Sequence, residues 1–249
     1  DVCSSDLFLP LLTAAWVLPA GAAAPGTVDA VRMPAWVVRG EQTLPLAPGM
    51  ALRDGDLVRT GEGARAYLKL AEGSTVKLGQ ATEMSFHHRS LDPARGFRGA
   101  VDVVTGAFRF TTGLFRRGMD RHLVIRVGTA TIGIRGTDLW GRSDRENDLI
   151  CLIEGRIRVD RAGQETEMDQ PLSFFLAPKG QAALPVATVA SEKFREWARE
   201  TEIETGDGAF RPNGAWALRL GRFPTEADAL AVYDRVRRSE EHTSELQSH

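Results

Sequence analysis

The sequence predicts an all-β fold, an antiparallel two-layer sandwich or roll or a β-solenoid-like stack, followed by a C-terminal helix and a partial α+β unit. Three observations carry that expectation. From Val28 to about Ala187 apolar and polar residues alternate in short runs, the period of a strand with one face buried. Turn chemistry recurs between the runs, at Pro48-Gly49, from Arg53 to Asp56, and at Glu62-Gly63. Before Ala190 no stretch places apolar residues at the spacing of an amphipathic helix.

The run from His122 to Trp140 is the centre of the chain. Leu123, Ile125 and Val127 alternate with other residues, and Ala130, Ile132 and Ile134 do so one position out of phase. That phase change predicts a bulge or corner at Gly128-Thr129, where the strand changes face. Three further segments share one layout, in which alternating residues flank an x-Gly pair: Glu72-Gly73, Thr105-Gly106 and Glu154-Gly155. Glycine supplies the positive φ of a tight turn, so Gly73, Gly106 and Gly155 are expected to close three hairpins, and Gly55 to close the turn after Arg53. In the first hairpin Ala66, Leu68, Leu70, Val76 and Leu78 share one face, and Arg65, Tyr67, Lys69, Thr75 and Lys77 share the other. A sheet with one apolar face needs a second layer against it, which implies about ten strands over residues 28–187.

Beyond Pro185 the pattern changes. Phe194, Trp197 and Ala198 stand at i, i+3 and i+4 among charges, with Ser191 placed as a cap, so residues 188–204 are expected to form a helix that closes the β domain. Residues 205–214 read as a linker. A new unit occupies 215–237: a strand from Ala215 to Gly221, then a helix with Thr225 near its start and Ala229, Val232, Tyr233 and Val236 on one face.

The two ends belong to neither pattern. Residues 238–249 and 1–7 read as translated sequencing adapter, because one oligonucleotide, taken in its two orientations, encodes both. Residues 8–24 resemble the end of a secretory signal, an apolar stretch with small residues permitting cleavage near Ala22 or Ala24. An uncleaved membrane anchor is the competing reading. Either places the domain outside the cytoplasm, in the periplasm or cell envelope. With 31 basic and 33 acidic residues the formal charge is −2, and this near-neutrality argues against nucleic acid as a partner. Cys3 and Cys151 are the two cysteines, and Cys151 sits among apolar residues, so a buried thiol is expected and a disulfide framework or zinc cluster is not.

No catalytic residue, cofactor or metal site is expected. His87 and His88, as strand neighbours, point to opposite faces and lack a third ligand. Arg135, Gly136, Thr137 and Asp138 form the candidate partner-contact motif, a guanidinium and a carboxylate beside a flexible glycine. The stronger competing reading makes Gly136 a bulge, with Thr137 or Asp138 satisfying turn amides. Asp54-Gly55-Asp56 reads as a turn before it reads as a calcium loop. Arg109, Arg116, Arg117, Arg121 and Arg126, interleaved with Phe108, Phe110 and Phe115, form a basic and aromatic cluster suited either to an anionic partner or to a solvated face.

Several of these residues, taken in order, resemble the FecR-type extracytoplasmic domain: Gly49, Leu52, Gly55-Asp56, Val58-Arg59-Thr60-Gly61, Gly63, Leu68, Leu70, Gly73-Ser74, Val76 and Leu78-Gly79, then Gly106, Phe108 and Phe110, then Ala130 to Asp138, then Glu154 to Val159. The resemblance covers roughly residues 35–165. It implies a non-enzymatic β-rich periplasmic module, best known for relaying a signal from outer-membrane receptors to a membrane-bound anti-sigma factor. A signal-like stretch followed directly by the domain resembles the secreted branch of that family. Residues 215–229, with Leu220-Gly221, Phe223 and an alanine-rich helix, are similar to the opening of a SPOR (sporulation-related) domain, which implies binding to peptidoglycan glycan strands. Together the resemblances imply a cell-envelope interaction or sensing module tethered to peptidoglycan, with an envelope protein as a further partner and a membrane only if residues 8–24 stay uncleaved. A membrane-anchored FecR-type regulator relaying a signal to a sigma factor is the alternative, and an envelope glycan hydrolase or its accessory is another.

Overall fold

The computed structural model describes residues 26–92, 96–113, 121–204, 207, 209–211, 223–225, 227–232 and 235, with the backbone alone at 88–92, 96–98, 121, 122 and 135. The expected adapter-derived ends, the signal-like residues 8–24 and most of the SPOR-like stretch lie outside the described residues.

The described chain is all-β apart from short helical segments. Its strands are β1 (Gly26–Arg32), β2 (Ala35–Arg39), β3 (Gln42–Pro45), β4 (Ala51–Leu52), β5 (Leu57–Thr60), β6 (Arg65–Leu70), β7 (Thr75–Leu78) and β8 (Glu83–Asp92). They continue with β9 (Gly96–Thr111), β10 (Arg121–Val127), β11 (Ala130–Ser143), β12 (Asn147–Arg161), β13 (Gln164–Met168), β14 (Ser173–Pro178) and β15 (Ala187–Thr188), before helix α1 (Ser191–Arg199). The strands exceed the ten expected because several at the edges are only two to five residues long.

All fifteen share one hydrogen-bonded network, yet three strands change neighbours halfway along. In β9, Phe97–Val103 pair with β10 on one edge, while the stretch before Gly106 pairs with β8 on the other. From Gly106 to Thr111 the same strand pairs instead with β11 and β7. In β11, Ala130–Ile134 pair with β10 and Asp138–Ser143 with β9. In β12, Asn147–Cys151 pair with β14 and Ile157–Arg161 with β13. The network therefore has two arms. The first runs β14-β12-β11-β9-β7-β6-β1-β4, and the second takes the other halves of β12, β11 and β9 together with β13, β10, β8, β5, β2 and β3. Buried side chains of both arms, among them Leu68, Val76, Phe108 and Phe110 from the first and Val58, Phe86, Val101, Ile125 and Ile132 from the second, form a single apolar cluster. Each such side chain contributes about 1.5–3 kcal/mol on burial, so this cluster is the main source of stability.

The expected strand faces hold. Ala66, Leu68, Leu70, Val76 and Leu78 are buried, while their alternate neighbours are not, and Leu123, Ile125, Val127, Ala130, Ile132 and Ile134 all lie in the core. The turns differ from expectation. Gly73 does close a hairpin, between β6 and β7, and Gly55 lies in the turn between β4 and β5, its N–H donating to Phe86 O at 2.8 Å. Gly106 and Gly155 do not close hairpins: both lie inside continuous strands, at the places where β9 and β12 pass from one arm to the other. A positive φ serves a bend as well as a turn, and the local sequence does not distinguish them. The reverse holds at Gly128-Thr129. These residues form a two-residue hairpin turn between β10 and β11, with Val127 opposite Ala130, and not a corner within one strand. The phase change in the alternation reflects the two turn residues. The β9–β10 pairing is parallel, a departure from the antiparallel expectation.

Candidate functional site

Helix α1 opens a strap that crosses the outer face of the first arm. β15 pairs with β14, Trp197 stacks on Trp140 of β11 with ring centroids 5.6 Å apart, and Phe174 of β14 meets Trp197 edge-on at 5.9 Å. Trp140, Ala107, Leu149 and Cys151 form a second buried cluster, against which Phe194 and Trp197 pack. The strap then passes over Gly79, where a Cβ would lie 2.6 Å from Glu200 O, so only glycine admits this approach. It ends on β1, where Phe210 and Val31 exchange both backbone hydrogen bonds at 2.7 and 2.9 Å, with Arg32 and Asp207 paired at 3.3 Å beside them. The cap of α1 is the backbone of Ala190, in extended conformation with no side-chain hydrogen bond, and Ser191 is the first helical residue instead of the cap expected.

Asp138 of the Arg135–Asp138 motif is linked to this strap through Arg109. The β11–β12 register slips between Arg135, opposite Arg156, and Asp138, opposite Glu154, so that Gly136 and Thr137 bulge. Gly136 has φ +62° and Gly155, across from it, +92°; a Cβ on Gly155 would strike Gly136 O. Thr137 is buried and donates from Oγ1 to Arg156 O at 3.1 Å. Its carbonyl accepts from Thr112 N and Oγ1 at 2.9 and 2.7 Å, and its N–H donates to Thr112 Oγ1 at 2.8 Å. The side chain of Arg135 lies outside the described residues. Gly136 and Thr137 thus have structural work.

Asp138 has a different role. Arg109 Nε and Nη2 donate to its two carboxylate oxygens at 3.1 and 2.7 Å, and Thr111 Oγ1 donates at 3.1 Å. The remaining arm of the fork, Arg109 Nη1, reaches Glu202 Oε1 of the strap at 3.3 Å. Glu202 Oε2 accepts from Tyr67 Oη at 2.9 Å and from Lys77 Nζ at 2.5 Å, while Tyr67 Oη accepts from Ile203 N. Hydrogen bonding to Asp138 raises the pKa of Arg109 against the opposing effect of burial. Burial pushes the Glu202 carboxyl up, but the bonds from Lys77 and Tyr67 and the nearby positive charges outweigh it, leaving Glu202 below the usual carboxylate range. Burial is also the main cause that lifts Tyr67 well above a normal phenol. The polar face expected to be wet is therefore bonded to the strap. These groups occupy one another's hydrogen-bonding positions, an arrangement that fixes a segment and offers no free nucleophile or base.

The other expected candidates separate. Phe108 and Phe110 are core residues, Arg109 faces the strap, and Arg126 pairs with Asp102 at 2.8 Å on the second arm, so alternation splits the basic and aromatic cluster between faces. Arg116, Arg117, Phe115 and the Arg121 side chain lie outside the described residues. His87 Nε2 lies 2.7 Å from Ser85 Oγ and 3.2 Å from Asp102, and the His88 side chain is outside the described set. Asp56 is buried and locked by both Arg39 nitrogens at 2.8 and 2.6 Å and by Arg53 N at 2.7 Å, a turn clamp. Among the described residues no group of three or more His, Cys, Asp or Glu is arranged to hold a metal ion. Cys151 is buried, and burial pushes its thiol up to about 12.

Sequence reasoning missed Glu202 and its ring of donors. The available signal was the shared outer face of Tyr67 and Lys77, with an isolated carboxylate just beyond an amphipathic helix.

A family model described as FecR protein matches residues 56–158, from the turn before β5 to the second half of β12. The match includes Arg109, the three bends and Asp138, and stops before the strap. No curated protein matches. Two crystal structures of a protein from Parabacteroides distasonis, provisionally named an anti-sigma factor, align at 15% identity and a TM-score of 0.48 over 57% of this chain. The chain covers 64% and 63% of them, less than two thirds of their length.

Proposed function

We propose that this chain is a non-enzymatic regulatory module of FecR type, which acts by contact with a protein partner and passes its state towards a sigma factor. The observation that supports this reading is the FecR model's match over residues 56–158, which takes in every strand that joins the two arms. The surroundings of Arg109, Asp138 and Glu202, saturated with hydrogen bonds, agree with a part that holds and releases segments. In this reading the chain works outside the cytoplasm, residues 8–24 provide export or anchorage, and the bulge Arg135–Asp138 is where the partner touches.

Transcript profiling after deletion of the gene tests the proposal. The expected result is a change confined to a small set of promoters served by one alternative sigma factor. An unchanged transcriptome under envelope stress and metal limitation removes the regulatory reading.

A tether to peptidoglycan glycan through residues 215–237 is the second reading. It is favoured by the Leu220-Gly221 and Phe223 pattern and by a capped helix start, in which Thr225 Oγ1 accepts from Asp228 N at 3.2 Å and residues 227–232 are helical. Co-sedimentation of the full gene product with peptidoglycan stripped of stem peptides separates the two, since a product that stays in the supernatant is no tether.

A further inference from the structure

We propose that Arg109 couples the Arg135–Asp138 bulge to the C-terminal strap, so that displacement of Asp138 loosens the strap from the first arm. The inference rests on the reading of that bulge as a contact site and names how contact there would be transmitted.

The strap is an addition to a body that is already complete. Among the described residues the main core cluster contains none beyond Ala183, counting those packed at its margin, and α1 has no fully buried residue. Among the described residues the strap is kept down by a series of discrete contacts: the Trp140–Trp197 stack, the Arg142–Glu200 and Arg32–Asp207 ion pairs, the bonds around Glu202, and the Phe210–Val31 bridge. Arg109 is the member of that series that is also bonded to Asp138. A guanidinium is a planar fork, and when Asp138 takes Nε and Nη2 the direction of Nη1 is set, here towards Glu202. Asp138 therefore aims the cation that the strap's carboxylate uses. Without it Arg109 recovers its rotamer freedom, and Glu202 keeps Tyr67 and Lys77 but loses its oriented third donor.

The bulge makes this relation responsive. Gly136 and Thr137 together face the single residue Gly155 in the β11–β12 pairing, and Asp138 is the first residue after them. A change in the bulge moves the carboxylate before it moves any regular part of the sheet. Strap release would uncover the apolar residues Trp140, Cys151 and Phe174.

Hydrogen exchange on the full chain, with no partner present, tests the coupling. The reporters are the amides of Ile203, bonded to Tyr67 Oη, and of Val31 and Phe210, bonded to each other's carbonyls. Asp138→Asn and Arg109→Lys are each expected to raise exchange at all three by about tenfold, the factor carried by one charge-assisted hydrogen bond, while core amides of β9, β11 and β12 stay protected. Asp102→Asn, which breaks an ion pair on the opposite arm, is expected to leave the three reporters unchanged. In the double variant Asp138→Asn/Glu202→Gln, exchange is expected to equal that of Glu202→Gln alone. Unchanged reporters in Asp138→Asn, a uniform rise across the sheet, or additive effects in the double variant would each overturn the coupling. If Asp138→Asn does not fold, Arg109→Lys carries the same comparison. Failure here leaves the regulatory reading standing, because transcript profiling addresses that separately.

Discussion

Trp140 and Trp197 stack with planes 12° from parallel, and so join the middle of the longest antiparallel pairing to a helix that follows it by half a hundred residues in the chain. Trp140 is fully buried, whereas Trp197 is only half so. Trp197→Ala should therefore cost about 2 kcal/mol, below the range for a fully buried aromatic. Urea unfolding is expected to show the lowered midpoint, and the remaining tryptophan emission should shift to the red in the native state. An emission maximum that stays put would mean that the strap does not shield Trp140.

The buried carboxylate of Asp148 is a second anchor, this time at the β10–β11 hairpin. It accepts from Thr129 N and Oγ1 at 2.9 and 2.8 Å, from Ser143 Oγ at 2.7 Å, and from Lys179 Nζ. Burial pushes its pKa up, but these bonds outweigh burial and hold it below the usual carboxylate value. A depressed folded pKa contributes stability at any pH above the unfolded value near ~3.9, and that stability is lost as pH falls through the folded pKa. Stability of the natural chain should thus be level above pH ~5 and fall steeply below pH ~4. Asp148→Asn should be less stable at neutral pH by about 3 kcal/mol, because Lys179 loses its counter-charge, and its acid limb should be shallower. Parallel acid limbs for the two proteins would contradict this assignment.

Gly155 and Gly163 both hold left-handed φ, +92° and +80°, but only the first is crowded. Alanine at Gly163, a hairpin turn with open space around it, should cost about 1 kcal/mol of backbone strain. At Gly155 the same change adds a clash with Gly136 O, and the cost should reach about 3 kcal/mol or more. Equal losses of stability in the two variants would show that β12 does not bend where the register places the bend.

Cys151, with its thiol pushed up to about 12, should resist a thiol reagent at pH ~8 until the protein unfolds. A Cys3→Ser chain makes the measurement clean. Rapid labelling under native conditions would place the thiol at the surface, or show that the strap opens readily.

Much of this fold was legible in the sequence, and the legible part has a common character. Ala66 to Leu78, Leu123 to Val127 and Ala130 to Ile134 declare their buried faces by alternation, because successive side chains of a strand point to opposite sides whatever the strand pairs with. Phe194 and Trp197 declare the inner side of α1 in the same way. The part of the resemblance carried by Asp56, Gly73-Ser74 and Ala130 to Asp138 lies within the segment matched by the FecR family model.

What only the tertiary structure decided concerns partners. Glu72-Gly73 turns a hairpin, whereas Thr105-Gly106 and Glu154-Gly155 bend a strand between arms. All three offer the same left-handed backbone, and the outcome depends on which strands are waiting on either side. Asp138 and Arg109 lie 29 residues apart, and Tyr67 and Glu202 lie 135 apart. Periodicity acts over a few residues and sets the face of each side chain. The choice of neighbour is made by packing and charge across the whole folded chain, and no local pattern contains it.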